Sequence, residues 1–390
     1  MQTLDWPSRE AYLARLFGSH DFSVVVDVLD MEERPQGSAT FLDGQVNLQS
    51  GQAVRRTCTL TLSDPDGALD LSTSSAWSGT SLWADRLVRV RHTIDVGGRD
   101  VSATVFEGVP VTLSRSGGEV NVELQDKTAL ATRGSRPLRL NKGMRAVDAI
   151  RQIFEERCGE TRFRFPHPSR RLSYNYAVGW EDKSSPWAVA SRIASHQLGM
   201  DLLYTCDGYL MLRRRPKASC LAIPGVTEQA KDAIDFSTLD NWVQVLGKTS
   251  THRTRSATVK TQPQTIDSVR GSLSPSALGR RGVPRYLPLV VTEESYTKTS
   301  QTKARAEREI NKHGRLQDQP QVSCIPVFHL DADDLVDVST PDGSRQVRFS
   351  SGSIPLGVGG EMTIGAHRWV SAAPSIRSHS RQIRRTHRRR

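Results

Sequence analysis

Between residues 22 and 126 the apolar residues recur at every second position. In FSVVVDVL, Phe22, Val24, Val26 and Val28 share one face. In TCTLTL, Cys58, Leu60 and Leu62 alternate with Thr57, Thr59 and Thr61. LVRVRHTI and VSATVFEGV follow across Gly97-Gly98, and EVNVEL comes after Ser116-Gly117-Gly118. A period of two is the signature of strands with one buried face, because successive side chains point to opposite sides of a pleated backbone. Short strands with turn residues between them predict an antiparallel barrel or sandwich. DPDG at 64–67 supplies one such turn, where proline presets φ and glycine accepts a positive φ.

The period differs on either side. Residues 5–17 predict a short helix, with Asp5 as a cap, Pro7 early, and Leu13, Leu16 and Phe17 as its stripe. GMRAVDAIRQIFEERCG places Val147, Ile150, Ile153 and Phe154 on one helical face and ends at Gly159. SSPWAVASRIASHQLGM predicts a second helix capped by Ser185, with Pro186 at its first position and Gly199 at its end. Its core face is Trp187, Ala190, Ile193, Ala194 and Leu198. MDLLYTCDGYLMLRRRP then predicts a hairpin turning at Asp207-Gly208.

Strand patterning returns with NWVQVLG at 241–247. A long polar loop is expected over 251–288, a length that marks either function or disorder. An almost wholly polar helix is expected over 299–313, and further strands follow, with a hairpin turn at Pro341-Asp342-Gly343. The fold class expected is α+β, mainly β: two β-barrel or sandwich domains with an intervening small α/β module. The divisions are an N-terminal helix at 1–18, a first β domain at 19–140, the module at 141–218, a second β domain at 219–370, and a basic tail at 371–390.

That tail holds Arg377, Arg381, Arg384, Arg385, Arg388, Arg389 and Arg390, and no acidic residue. Removing its seven arginines takes the net charge from +11 to +4, so the body is only mildly basic. A nucleic-acid-binding domain would carry its basic residues as stripes throughout. These arginines are the candidate partner-binding residues. No stretch reaches the ~20 apolar residues of a membrane span, and the N-terminus lacks the apolar core of a signal peptide. The five cysteines are widely spaced without a CxxC, which supports neither a disulfide framework nor a zinc site.

Catalytic signatures are missing. His196 has no HExxH around it. Asp331, Asp333, Asp334 and Asp337 lack the glycine and later glutamate of a calcium loop, so a turn into a strand is expected there. GVGG at 357–360 precedes a strand and not a helix, so it is no phosphate cradle. Glu155-Glu156 and Glu293-Glu294 have no partner to define an acid and a base. RFRFPHPSRR at 162–171 interleaves aromatics with arginines, as single-strand binders do, yet the same pattern is a strand with Phe163 and Phe165 inward. No enzyme, cofactor or metal is expected.

Taken in order, GSHDFSVVVDVL, DGQVNLQSGQAVRRTCTLTLSDPDG, FEGVPVTLSRSGGEVNVELQDKTALA, GMRAVDAIRQIF, the 184–216 helix-hairpin, the 274–310 segment and HLDADDLVDVS…IPLGVGGEMTIGAHR resemble the tail-hub, or baseplate-hub, proteins of tailed bacteriophages. The likeness is to minor tail proteins of actinobacterial siphophages and spans about residues 19–370. It implies that the two β domains are tail-tube-like. It also implies a homotrimer whose six such domains join a sixfold tube above to a threefold tip below and contribute to the channel for DNA ejection. The implied partners are a distal tail protein and the tube on one side, tip or fibre proteins on the other, and the tape-measure protein in the lumen, with DNA in transit. The implied location is the virion tail tip, after synthesis in the host cytoplasm. A nucleic-acid-binding protein using the arginine tail is the alternative, and a cell-wall-degrading tail enzyme is a weaker one.

Overall fold

A computed structural model describes residues 9–18, 21–65, 67, 69, 82, 84–224, 234–235, 239–253, 258–293, 296–314, 316–318, 321–340, 343–366 and 368–370. They fall into two compact units that are not consecutive in sequence. One lies within Met1–Ala230 and Gln321–Ala366, the other within Lys231–Pro320 and His367–Arg390.

The first unit opens with helix α1 (Arg9–Leu16), whose Tyr12 and Leu16 are buried. Strands β1 (Phe22–Leu29), β2 (Pro35–Gln49), β3 (Arg56–Ser63), β4 (Leu87–Asp95), β5 (Asp100–Ser116) and β6 (Glu119–Asp126) follow. They pair antiparallel in the order β1-β4-β5-β6-β3-β2, and β2 returns to β1, so the strands close into a barrel. Closure removes the free edges that would otherwise template association. The period-two residues line its inside: Val26, Val28, Leu60, Leu62, Val120, Val122 and Leu124 are all buried. The alternation breaks in β5, where Val90 pairs with Phe106 and Arg91 with Thr104. Val105 is the extra residue of a bulge, and both Val105 and Phe106 are buried.

The α/β module contains α2 (Ala129–Thr132), β7 (Leu138–Leu140), α3 (Ala146–Cys158), β8 (Phe163–Arg164), β9 (Tyr176–Val178), α4 (Pro186–Ile193), β10 (Asp201–Tyr204) and β11 (Leu210–Arg213). Both long helices match the sequence expectation. Val147, Ile150, Ile153 and Phe154 are buried on α3, and Gly159 ends it in the left-handed region. Ser185 caps α4 by accepting the Ala188 N–H. A π-helical turn over Ala194–Leu198 extends α4 before Gly199 stops the chain at φ 64°. The module has its own core, in which Phe154, Trp187 and Tyr204 meet ring to ring.

The chain completes the first unit from far along its length. After β12 (Leu221–Ile223) come the strands of the second unit. These are β13 (Ile234–Asp235), β14 (Trp242–Leu246), β15 (Ser250–Arg253), β16 (Thr258–Thr261), β17 (Gln264–Ser268) and β18 (Pro288–Thr292), then α5 (Thr299–His313) and β19 (Leu316–Asp318). Strands β20 (Gln321–Cys324), β21 (Leu335–Thr340), β22 (Gly343–Pro355) and β23 (Met362–Ala366) then rejoin the first unit, and β24 (Arg368–Val370) pairs with β19 in the second. β22 bonds to β2 from Gln45↔Pro355 to Gln49↔Ser351, so the barrel and the late strands share one hydrogen-bonded sheet. One hydrophobic cluster runs through both, from Val26 and Leu60 to Phe349 and Ile364. β21 and β22 form the expected hairpin, although Pro341 and Asp342 lie outside the described residues.

The long loop expected over 251–288 instead holds three strands, and only 274–287 is a long irregular stretch. β15 pairs with β16, and β17 pairs with β14 from Trp242↔Ser268 to Leu246↔Gln264. The polar composition hid these strands because each has little to bury. The inner face of the β17-β14-β18 sheet presents Val243 and Val245 to α5. α5 answers with Thr302, Ala306 and Glu309 buried, so two of its three core positions are polar. Thr302 shares a 2.8 Å hydrogen bond with Thr265 on β17. Gln301 Oε1 closes the helix start by accepting the N–H groups of Thr297 and Lys298. Among the described residues no helix is long and apolar enough to cross a membrane.

α1 packs at the join of the barrel and the late strands. The Tyr12 ring meets His329 edge-on at 5.5 Å, and His92 on β4 stacks on Phe328 at 3.6 Å. Burial above all, with Arg9 adding repulsion and Asp331 opposing it, lowers His329 to about 4. A histidine held below its unfolded value makes the unfolded chain bind the extra proton. Stability should therefore be full above about pH 6.5 and fall toward pH 4, by roughly 3 kcal/mol at most from this group. Denaturant titrations of His329→Phe and the parent should diverge below pH 6, with the variant losing less stability. Parallel pH profiles would remove His329 as the cause.

Candidate functional site

The seven C-terminal arginines, Arg377, Arg381, Arg384, Arg385, Arg388, Arg389 and Arg390, lie outside the described residues. Glu294 of the Glu293-Glu294 pair lies outside them as well.

RFRF folds as an edge of the module. Phe163 and Phe165 turn toward its core, and the Arg151 guanidinium covers Phe163 at 4.5 Å. Arg162 and Arg164 project the other way and stack on the Tyr209 ring at 4.0 and 3.8 Å. Arg164 is paired with Asp207 at 2.8 Å. Both arginines are thus engaged within the chain. Glu155 and Glu156 lie on the surface of α3, within reach of Arg151 and of Gln152 and Arg157 respectively. His196 is half-buried in the π turn.

The acidic turn at 331–334 is buried and is met by arginines from distant segments. Arg56 reaches Asp331 at 3.1 Å, Arg55 reaches Asp333 at 3.1 Å, and Arg213 reaches Asp334 at 2.8 Å. Asp331 also accepts the Cys206 N–H at 3.0 Å. Burial pushes the Asp331 carboxyl up, but Arg56 and Arg213 beside it win, and it is held at about 2. The turn thus binds β3, the module hairpin and the late strands together, which is a structural use of carboxylates that a calcium loop would have spent on a metal. Among the described residues no group of three or more histidine, cysteine or carboxylate side chains is arranged to hold a metal ion. All five cysteines are free.

A second charged centre sits where the barrel meets the module. Lys127, at the end of β6, is buried with Glu33 at 2.6 Å and Glu160 at 2.7 Å, and it donates to the Gly208 carbonyl at 3.0 Å. Glu107 on β5 is buried beside it, bonded to Arg89 at 2.7 Å and to Arg162 at 3.2 Å. Arg162 also pairs with Glu33 and donates to the Asp207 carbonyl at 2.6 Å. Burial and the Glu33 charge raise the Glu107 carboxyl, against Arg89, Lys127 and Arg162. At Glu33 burial opposes ionisation, but Lys127 and Arg162 prevail and lower it. Four carboxylates, counting Asp207, face four cations, counting Arg164, so the centre is neutral as a whole. Such a set can hold two elements in register, but it offers no unpaired acid or base for catalysis.

Sequence reasoning missed this centre. One signal was present: VFEGV places Glu107 inside a run whose other members are apolar or glycine, where strand alternation had already failed. The hairpin differs in detail as well. Asp207-Gly208 is not a two-residue turn; Thr205 and Tyr209 close the loop, Gly208 N–H returns to the Thr205 carbonyl, and Gly208 takes φ 77°. Gly208 packs directly over Glu107, so that a Cβ there would lie 2.1 Å from the Glu107 Oε1.

No family model matches the sequence, and no curated protein matches it. Solved structures do. The 43 kDa tail protein of prophage MuSo2 from Shewanella oneidensis superposes with a TM-score of 0.56 at 14% identity, covering 88% of this chain and 98% of that one. The tail protein from Neisseria meningitidis MC58 gives 0.57 at 11% identity, covering 89% and 97%.

Gly208→Ala should cost about 2–4 kcal/mol, since it adds left-handed strain to a clash with a buried carboxylate. Lys127→Met should cost about 3–5 kcal/mol, because Glu33 and Glu160 would keep their burial and lose their cation. Chemical denaturation followed by tryptophan fluorescence checks both. An unchanged midpoint for Lys127→Met would show that the centre bears no load. Over nearly its whole length, the chain has the fold of these two prophage tail proteins.

Proposed function

We propose that the protein is a structural subunit of a phage tail tip, the hub that joins the tail tube to the tip, and that it acts in the virion. The observation that carries this reading is the length of the fold match, 98% of the Shewanella prophage tail protein against 88% of this chain. A shared barrel alone would leave most of each chain unmatched. The interlocked charge centres support a load-bearing role and not a catalytic one, because their ionisable groups are bonded to one another.

On this reading three chains form a ring, with each contributing tube-like β elements from the closed barrel at 19–140 and from the C-terminal strands within 219–370. Neighbours are the distal tail protein and tube above, tip or fibre proteins below, and the tape-measure protein in the lumen, which later passes DNA. The arginines of 371–390 fasten the ring to an adjacent tail protein. Arginine suits that task, since its planar fork bonds a carboxylate through two parallel hydrogen bonds.

A reconstruction of assembled tails should place three copies at the tip; six or twelve would overturn the trimer. Truncation before Ser371 should lower the yield of fully tipped, infectious particles. Normal yields would show the tail to be dispensable. DNA affinity that is steeply salt-dependent and survives the truncation would favour a nucleic-acid-binding protein instead.

A further inference from the structure

Among the described residues, α5 packs against one face of the sheet β17-β14-β18. Its other face carries Trp242, Gln244 and Leu246 along β14. Gln244 stands in register with Ile266 on one side and Val290 on the other, and these are 55% and 54% exposed. Trp242 extends the surface to Tyr286, which meets it edge-on at 6.3 Å and is itself more than half exposed. Two exposed aliphatic side chains flanking one strand are an apolar patch, not scattered single residues.

The loop beside this face is firmly built. Its underside buries Leu273 with Leu239 and Val269, and Leu278 and Leu287 pack against them. Asn241 is fully buried and spends its side chain on the loop, donating to the Arg285 carbonyl and accepting the Leu287 N–H. At the tip Arg280 and Val283 exchange both backbone hydrogen bonds around Arg281 at φ 54° and Gly282 at φ 80°. Two residues of positive φ make the type I′ turn, which asks for asparagine or glycine at its first central position. Arginine there is locally disfavoured relative to asparagine or glycine. Arg280, Arg281 and Arg285 are exposed, and none is ion-paired among the described residues. From Ser268 to Thr292 the sequence has four arginines and no acidic residue.

We propose that this face, with its arginine-tipped loop, docks a second tail protein whose contacting surface is apolar at the centre and carboxylate-rich at one rim. The inference rests on the tail reading above. Apolar anchors bordered by arginine and aromatic side chains are the composition of protein interfaces. Ile266 and Val290 at the centre disfavour nucleic acid, since an aliphatic side chain gives a base nothing to stack on. A second copy presenting this same face would bring further arginines and no carboxylate from 268–292 to pair with them.

The test uses the full chain carrying a photo-reactive amino acid at Val290, assembled into tails in infected cells, with the same group at the exposed Val358 as the control site. Irradiation should join Val290 to one other tail protein, and the joined peptide should be rich in Asp or Glu. Arg280→Glu with Arg281→Glu should lower that yield roughly tenfold while the chain still folds, since reversing rim charges weakens encounter and register. Tails that contain the chain but give no adduct at Val290, or an adduct to DNA or to Val290 of another copy, would overturn the docking surface and leave the tail reading standing. Tails that lack the chain would overturn both.

Discussion

The first unit depends on a buried lysine. Lys127 leaves the barrel at the end of β6 and finds Glu33 from the β1–β2 turn, Glu160 from the exit of α3, and the Gly208 carbonyl of the module hairpin. A lone ammonium here would be prohibitively costly to desolvate, so the position is stable only when all three elements are in place. That makes the contact a test of assembly as well as a contribution to it. Glu107, Arg89 and Arg162 belong to the same network, and a Cβ at Gly208 would meet the Glu107 carboxylate.

The acidic turn at 331–334 performs the same service close by, where Asp331 accepts the Cys206 N–H two residues before Gly208. Arginines from β3 and β11 converge on it with distances of 2.8–3.1 Å, and β22 is already bonded to β2. Charge is used here for position. Two hydrophobic clusters, one in the barrel and late strands and one in the module, supply the bulk of the burial. Hydrophobic contact is tolerant of small displacements, whereas bonded ion pairs are directional and fix one arrangement.

Much of the local structure was legible in the residues. Period-two runs in β1, β3, β4 and β6, the stripe on α3, the Ser185 cap and the Gly159 and Gly199 stops all follow from the chain's own geometry and occur where expected. Local pattern reports local conformation because a strand or helix with one buried face must repeat with its own period. Pattern failed where the buried positions were polar. Thr302 and Glu309 on α5 and the sparse strands at 250–268 escaped because their partners, not their own hydrophobicity, hold them.

The sequence by itself determined the strands and helices that bury an apolar face, that the class is mainly β with a small α/β module, and that charge is concentrated in the C-terminal tail. Only the tertiary structure decided that the strand at 343–355 returns to β2, some 300 residues earlier in the chain. It alone decided that Lys127, Glu33, Glu107 and Glu160 meet. The reason is physical. Pairing between distant strands and between buried ions is set by which surfaces remain after local elements form, and a carboxylate carries no local sign of the cation it will face.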